Sequence, residues 1–60
     1  MSSPLYSLFL DKVVEVKLCG GETVRGRLVA VDTRSLMLET EDGPVIVAAP
    51  RVVAIKEVID

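Results

Sequence analysis

The stretch Val16 to Glu39, VKLCGGETVRGRLVAVDTRSLMLE, decides how the chain folds. At its start Val14, Val16 and Leu18 alternate with Glu15 and Lys17, the period of a strand with one buried face. Cys19-Gly20-Gly21-Glu22 interrupts that alternation. A Gly-Gly pair between two alternating runs signals a hairpin, because both glycines accept positive φ at little cost. Thr23 to Val31 resumes as a run rich in β-branched residues, with Gly26 near its middle. Glycine inside a strand marks a bend, a bulge or a close backbone approach. Asp32-Thr33-Arg34-Ser35 breaks the apolar pattern and Leu36-Met37-Leu38 restores it. Three consecutive antiparallel strands with a bend in the central one predict a small curled barrel.

The rest of the chain fits around these strands as one domain over residues 1–60, with no linker, repeat or low-complexity segment. Residues 4–10 (PLYSLFL) are expected to form a short helix, with Ser3 as N-cap and Pro4 at the first helical position. Leu5, Leu8 and Phe9 lie at helical spacing and would cover one end of a barrel spanning residues 11–60. The first strand opens at Asp11 or Lys12 and runs to about Leu18; the second covers Thr23 to Val31 and the third Ser35 to Thr40. Glu41-Asp42-Gly43-Pro44 reads as an acidic turn, followed by a fourth strand from Val45 to Ala48. Pro50 forces a break, since it lacks an amide donor and restricts Ala49 before it. A fifth strand then runs from Arg51 or Val52 to about Val58.

Sixty residues bury only about 60% of the surface an unfolded chain exposes, and a core of that size rarely supplies more than about 3–5 kcal/mol. One cysteine, Cys19, excludes an intramolecular disulfide, and the absence of histidine removes a Cys/His zinc site. Oligomerisation is the remaining remedy. Half of the residues are hydrophobic, yet there is no Trp, one Phe and one Tyr, so the apolar mass is spread over both faces of the strands. The net charge of −2 argues against a general nucleic-acid coat or a membrane-surface protein. No signal peptide or bilayer-spanning run is seen, and the lone cysteine fits a reducing compartment, so a cytoplasmic protein is expected. Asn and Gln are both absent, a depletion seen in thermophiles.

With these residues in place, the chain resembles the Sm and Sm-like (LSm) family, in particular its short archaeal-type members. Val16, Leu18, Gly21, Val24, Gly26, Leu28, Asp32 and Leu38 occupy the places of the family's first signature. Val45 through Ile55 (VIVAAPRVVAI) corresponds to its second, ordinarily an apolar run, Ile-Arg-Gly and a final apolar strand. The resemblance implies an all-β Sm-like fold: a short N-terminal helix, then a strongly bent five-stranded antiparallel SH3-like barrel. It also implies a homo-oligomeric ring, a hexamer or heptamer, closed by pairing the fourth strand of one subunit with the fifth of the next. Val45, Val47, Val53 and Ile55 would be buried together there, and the edge strands would be protected from uncontrolled pairing.

The family typically binds single-stranded, often uridine-rich RNA around the pore, between the loop after the second strand and the loop before the fifth. Asp32 matches its loop-orienting aspartate, and Arg34 falls at the place of the base-stacking residue, a role open to a guanidinium plane. The family's base-reading asparagine is replaced by Ser35 or Leu36, according to where a one-residue gap is put. Its Ile-Arg-Gly arginine is Ala48, with Arg51 three residues on near the same loop. The expected RNA site is therefore Asp32, Arg34, Ser35 and Arg51, with weak or sequence-tolerant binding, as an RNA chaperone or ribonucleoprotein scaffold. The alternative is a ring serving as a structural or protein-interaction module with little RNA affinity. No cofactor is expected. Neither is catalysis: there is no histidine, no paired-carboxylate arrangement, and Gly20-Gly21 precedes a strand where a phosphate-binding loop would lead into a helix. At the level of fold alone, a monomeric SH3-like barrel is the competing reading.

Overall fold

The computed structural model describes residues Leu5 to Ile59. Five strands follow one another: β1 (Val13–Leu18), β2 (Thr23–Val31), β3 (Ser35–Thr40), β4 (Gly43–Ala48) and β5 (Val52–Glu57). All pair antiparallel in a single sheet of order β4-β3-β2-β1-β5. The all-β class and the strand count agree with the sequence, and β2 and β3 have the expected ends. β1 begins later than expected, at Val13. Asp11 instead takes a positive φ of 66° in the preceding turn, a conformation that Asp tolerates better than most residues. β4 begins earlier, because Thr40 already faces Gly43 across the ladder. Glu41-Asp42 is then a two-residue connection, braced by the Thr40 hydroxyl, which donates to the Gly43 carbonyl at 2.8 Å. In the β1–β2 turn only Gly21, at φ 88°, uses the left-handed freedom expected of both glycines.

The N-terminal helix differs from expectation. Leu5–Phe9 forms a five-residue 3-10 helix in place of an α-helix, while Ser3 and Pro4 lie outside the described residues. Side chains three apart align in a 3-10 helix, so Tyr6 and Phe9 share the side that packs on the core. Leu5 and Leu8 are left 78% and 70% exposed. The aromatic pair, and not the leucines, covers this end of the sheet.

Val14, Val16, Leu18, Leu28, Leu36, Leu38 and Val47 form the buried core, with Val24, Val31, Val45, Val52 and Ile55 half-buried around it. Among the described residues no second layer lies over the sheet, so its apolar face is buried by curling on itself. At Gly26 the backbone of β3 comes close to β2. A Cβ there would lie 2.6 Å from the Glu39 carbonyl oxygen and 3.0 Å from Thr40 Cγ2. The β2–β3 register slips between Leu28 and Ala30, and the β1–β5 register between Lys17 and Leu18; such irregularities increase local twist. Among the described residues no helix is long and apolar enough to cross a membrane.

Gly26→Ala is expected to cost about 1–3 kcal/mol, as overpacking against backbone does. Gly20→Ala, whose Cβ would meet only Glu22 Oε1 at 3.4 Å, should shift stability by less than about 0.5 kcal/mol. Urea midpoints measure both, and equal midpoints would remove the close approach as the cause of the curl.

Candidate nucleic-acid interface

Two connections meet at one end of the sheet. The β2–β3 loop is Asp32-Thr33-Arg34, closed by the Asp32 amide donating to the Ser35 carbonyl at 2.8 Å. Asp32 Oδ1 accepts from the Thr33 amide at 2.7 Å and from the Thr33 hydroxyl at 3.4 Å, the local side-chain capping that suits Asp to turns. The β4–β5 connection is a 3-10 turn, Ala49–Arg51, with Pro50 in its first positions. Its Ala49 amide donates to the Arg34 carbonyl at 2.8 Å, and its Arg51 carbonyl accepts from the Cys19 amide at 2.8 Å. The short turn is thus pinned on one side to the loop carrying Arg34 and on the other to the β1–β2 turn.

Asp32, Arg34 and Arg51 are exposed and Ser35 is half-buried, so all four anticipated site residues come to this end of the sheet. The ion pairs among the described residues are Lys12–Glu57 at 3.6 Å and Lys56–Glu15 at 3.7 Å. Neither involves Arg34 or Arg51, so among the described residues these guanidinium groups take part in no ion pair. Ala30, Val31, Asp32, Ser35, Met37 and Ile46 line a shallow hollow of about 130 Å³ beside the loop. Apart from Asp32 and Ser35 its lining is apolar. This end of the sheet thus carries apolar, polar and cationic residues close in the fold, residue types that can pack, hydrogen-bond and pair with anions. Among the described residues no group of three His, Cys, Asp or Glu side chains is placed to hold a metal ion.

The anticipated interface residues are divided by their environments. Val47 is 5% exposed and belongs to the chain's own core, while Val45 and Ile55 are half-buried against that core. Val53 alone of the four stands free, at 63% exposure. Ile46, between the two inward valines, is 66% exposed and was not singled out by the sequence. In VIVA both strand faces are apolar, so hydropathy gives no sign of which residues point inward.

No protein-family model, curated protein or solved structure matches this chain.

Asp32→Ala should remove the acceptor for the Thr33 amide, costing about 0.5–1.5 kcal/mol, the net worth of a typical hydrogen bond. Hydrogen exchange at Thr33 should accelerate in Asp32→Ala and much less in Asp32→Asn. Unchanged exchange in the alanine variant would mean that the carboxylate does not hold the loop.

Proposed function

We propose that this chain is a subunit of an Sm-like homo-oligomeric ring that binds single-stranded RNA at the end of the sheet carrying Arg34 and Arg51. The observation that carries this reading is the hydrogen bond from the Ala49 amide to the Arg34 carbonyl. It joins the two connections on which the anticipated RNA contacts lie, so that both act on one ligand. Arg34 stacks on a base or pairs with phosphate, Asp32 shapes the loop that presents it, and Arg51 and Ser35 add contacts at the margin. With no Asn or Gln in the chain, base edges are read weakly, and stacking and charge dominate. Such binding tolerates sequence variation and weakens as salt rises.

Ring formation is the partner of this reading. β4 and β5 are the two edges of the sheet, and each carries unpaired backbone groups that invite pairing with another copy. A heterologous contact between unlike edges closes into a ring when its rotation permits.

One set of observations favours a ring without RNA affinity: the net charge of −2 and Ala48 at the place of the family's second-loop arginine. Binding of oligo(U) and oligo(A) at two salt concentrations separates the readings, and absence of binding at low salt rules out the RNA site. Arg34→Ala is expected to weaken RNA binding severalfold at low salt, with the mass by light scattering unchanged. An unaltered affinity would move the site away from this loop.

A further inference from the structure

The two free edges of the sheet differ in a way that fixes how copies of the chain can join. On β4, the Ala49 amide donates to the Arg34 carbonyl, in the register that sets Val47 opposite Leu36 and Val45 opposite Leu38. Antiparallel ladders alternate hydrogen-bonded and non-bonded pairs. Val45 and Val47 therefore bond to β3, while Ile46 and Ala48 turn their backbone groups to the free edge. Pro44 falls in the same set, where its missing N–H leaves β3 no bond short. On β5, the Val58 amide donates to the Val13 carbonyl at 2.8 Å. The same alternation gives Lys56 and Ala54 to β1, and Ile55 and Glu57 to the free edge.

The side chains at these two edges face opposite ways. Ile46 and Ala48 are exposed on the outer face, whereas Ile55 packs against the core. In an antiparallel pair, residues that exchange backbone bonds directly opposite each other also share a face of the sheet. All four ladders in this sheet are antiparallel, and that pattern is the more stable per residue. Antiparallel pairing of β4 with β5 of another copy must then carry the outer face of one into the inner face of the next. Only a parallel contact would keep Ile46 on the outer face, level with Lys56.

We infer that this inversion places Ile46 of each copy on the core side of its neighbour, against Ile55; the inference rests on the ring reading above. Both strands span six residues. Setting Ile46 opposite Ile55 also sets Pro44 opposite Glu57, within the part of β5 whose register against β1 is regular. Ile46 is thus outside its own core and part of its neighbour's, and the small core is completed by a second copy.

Two double-cysteine variants in a Cys19→Ser background test this. Ile46→Cys/Ile55→Cys should give disulfide-linked multimers on a non-reducing gel, because bonded partners sit about 5.5 Å apart, within disulfide reach. Ile46→Cys/Lys56→Cys should run as single chains. Linkage through residue 56, or through neither pair, in a protein that still assembles overturns the inversion and leaves the ring reading standing. A wild-type mass of 6.5 kDa in solution overturns both. Ile46→Asp supplies a second readout, since in the single copy this residue is solvent-exposed: assembled species should be lost, and a wild-type assembled mass overturns the inference.

Discussion

The carbonyl oxygen of Glu39 sits 2.6 Å from where a Cβ on residue 26 would be, and the shape of the molecule follows from that approach. A five-stranded sheet with no covering layer has to bring its own strands around its apolar face. β2, at nine residues the longest strand, makes the turn by crowding against β3 where it has no side chain. Val14, Val16, Leu28, Leu36 and Leu38 can then all reach 0% exposure in so short a chain. The slip between Leu28 and Ala30 adds twist just beyond the same point. A side chain at residue 26 would open the curl and wet the residues it encloses.

Curling leaves the sheet with ends that do not meet by hydrogen bonds. β4 and β5 follow each other in sequence, yet lie at opposite edges of the strand order. The three-residue turn Ala49–Arg51 crosses between them and is held from both sides by backbone bonds. The edges it joins are the chain's unfinished part. Pro44 on β4 and Lys56 and Glu57 on β5 limit promiscuous pairing, as proline and charge do at natural edges. Between these guards lie Ile46 and Val53, both well exposed. Edges protected at their margins and apolar in their middle fit the ring proposed above, in which one defined pairing replaces many loose ones.

Much of this was legible in the sequence, and the failures have physical reasons. Alternation with period two located β1, and a glycine pair, polar loops and Pro50 marked off the others; β2 and β3 had the expected ends because Cys19-Gly20-Gly21-Glu22, Asp32-Thr33-Arg34 and Glu41-Asp42 bound them. The loop and the turn of the candidate site were legible because Asp32 and Pro50 punctuate the pattern. Facing was less legible. A spacing argument built on 3.6 residues per turn put Leu5, Leu8 and Phe9 on the core, whereas a five-residue segment winds as a 3-10 helix, whose period of three keeps Phe9 and pairs it with Tyr6 in place of the leucines. In β4 the run Val45-Ile46-Val47-Ala48 is apolar on both faces, and only burial in the folded chain shows that Ile46 points out. The contact between Ala49 and Arg34 left no mark in the sequence, because it is made by backbone atoms.

The net charge bears less on RNA binding than its sign suggests, because the acidic residues are not spread evenly. Glu41 and Asp42 form the turn at the far end of the β3–β4 hairpin from Ser35 and Ala48. Five residue steps at about 3.3 Å put that turn about 17 Å from the candidate site, roughly twice the Debye length of about 8 Å at physiological ionic strength. What an incoming phosphate meets is therefore set by the local groups. Arg51 lies on the turn whose backbone is bonded to Cys19 in the β1–β2 turn. Arg34 is followed by Ser35 and bonded through its carbonyl to Ala49, with Asp32 the one nearby acid in its loop. The Asp32 carboxylate is already engaged by the Thr33 amide and hydroxyl through Oδ1, which orients it within the loop. On the RNA-binding reading proposed above, Arg34 and Arg51 are the two cations this end offers a polyanion, and among the described residues neither takes part in an ion pair.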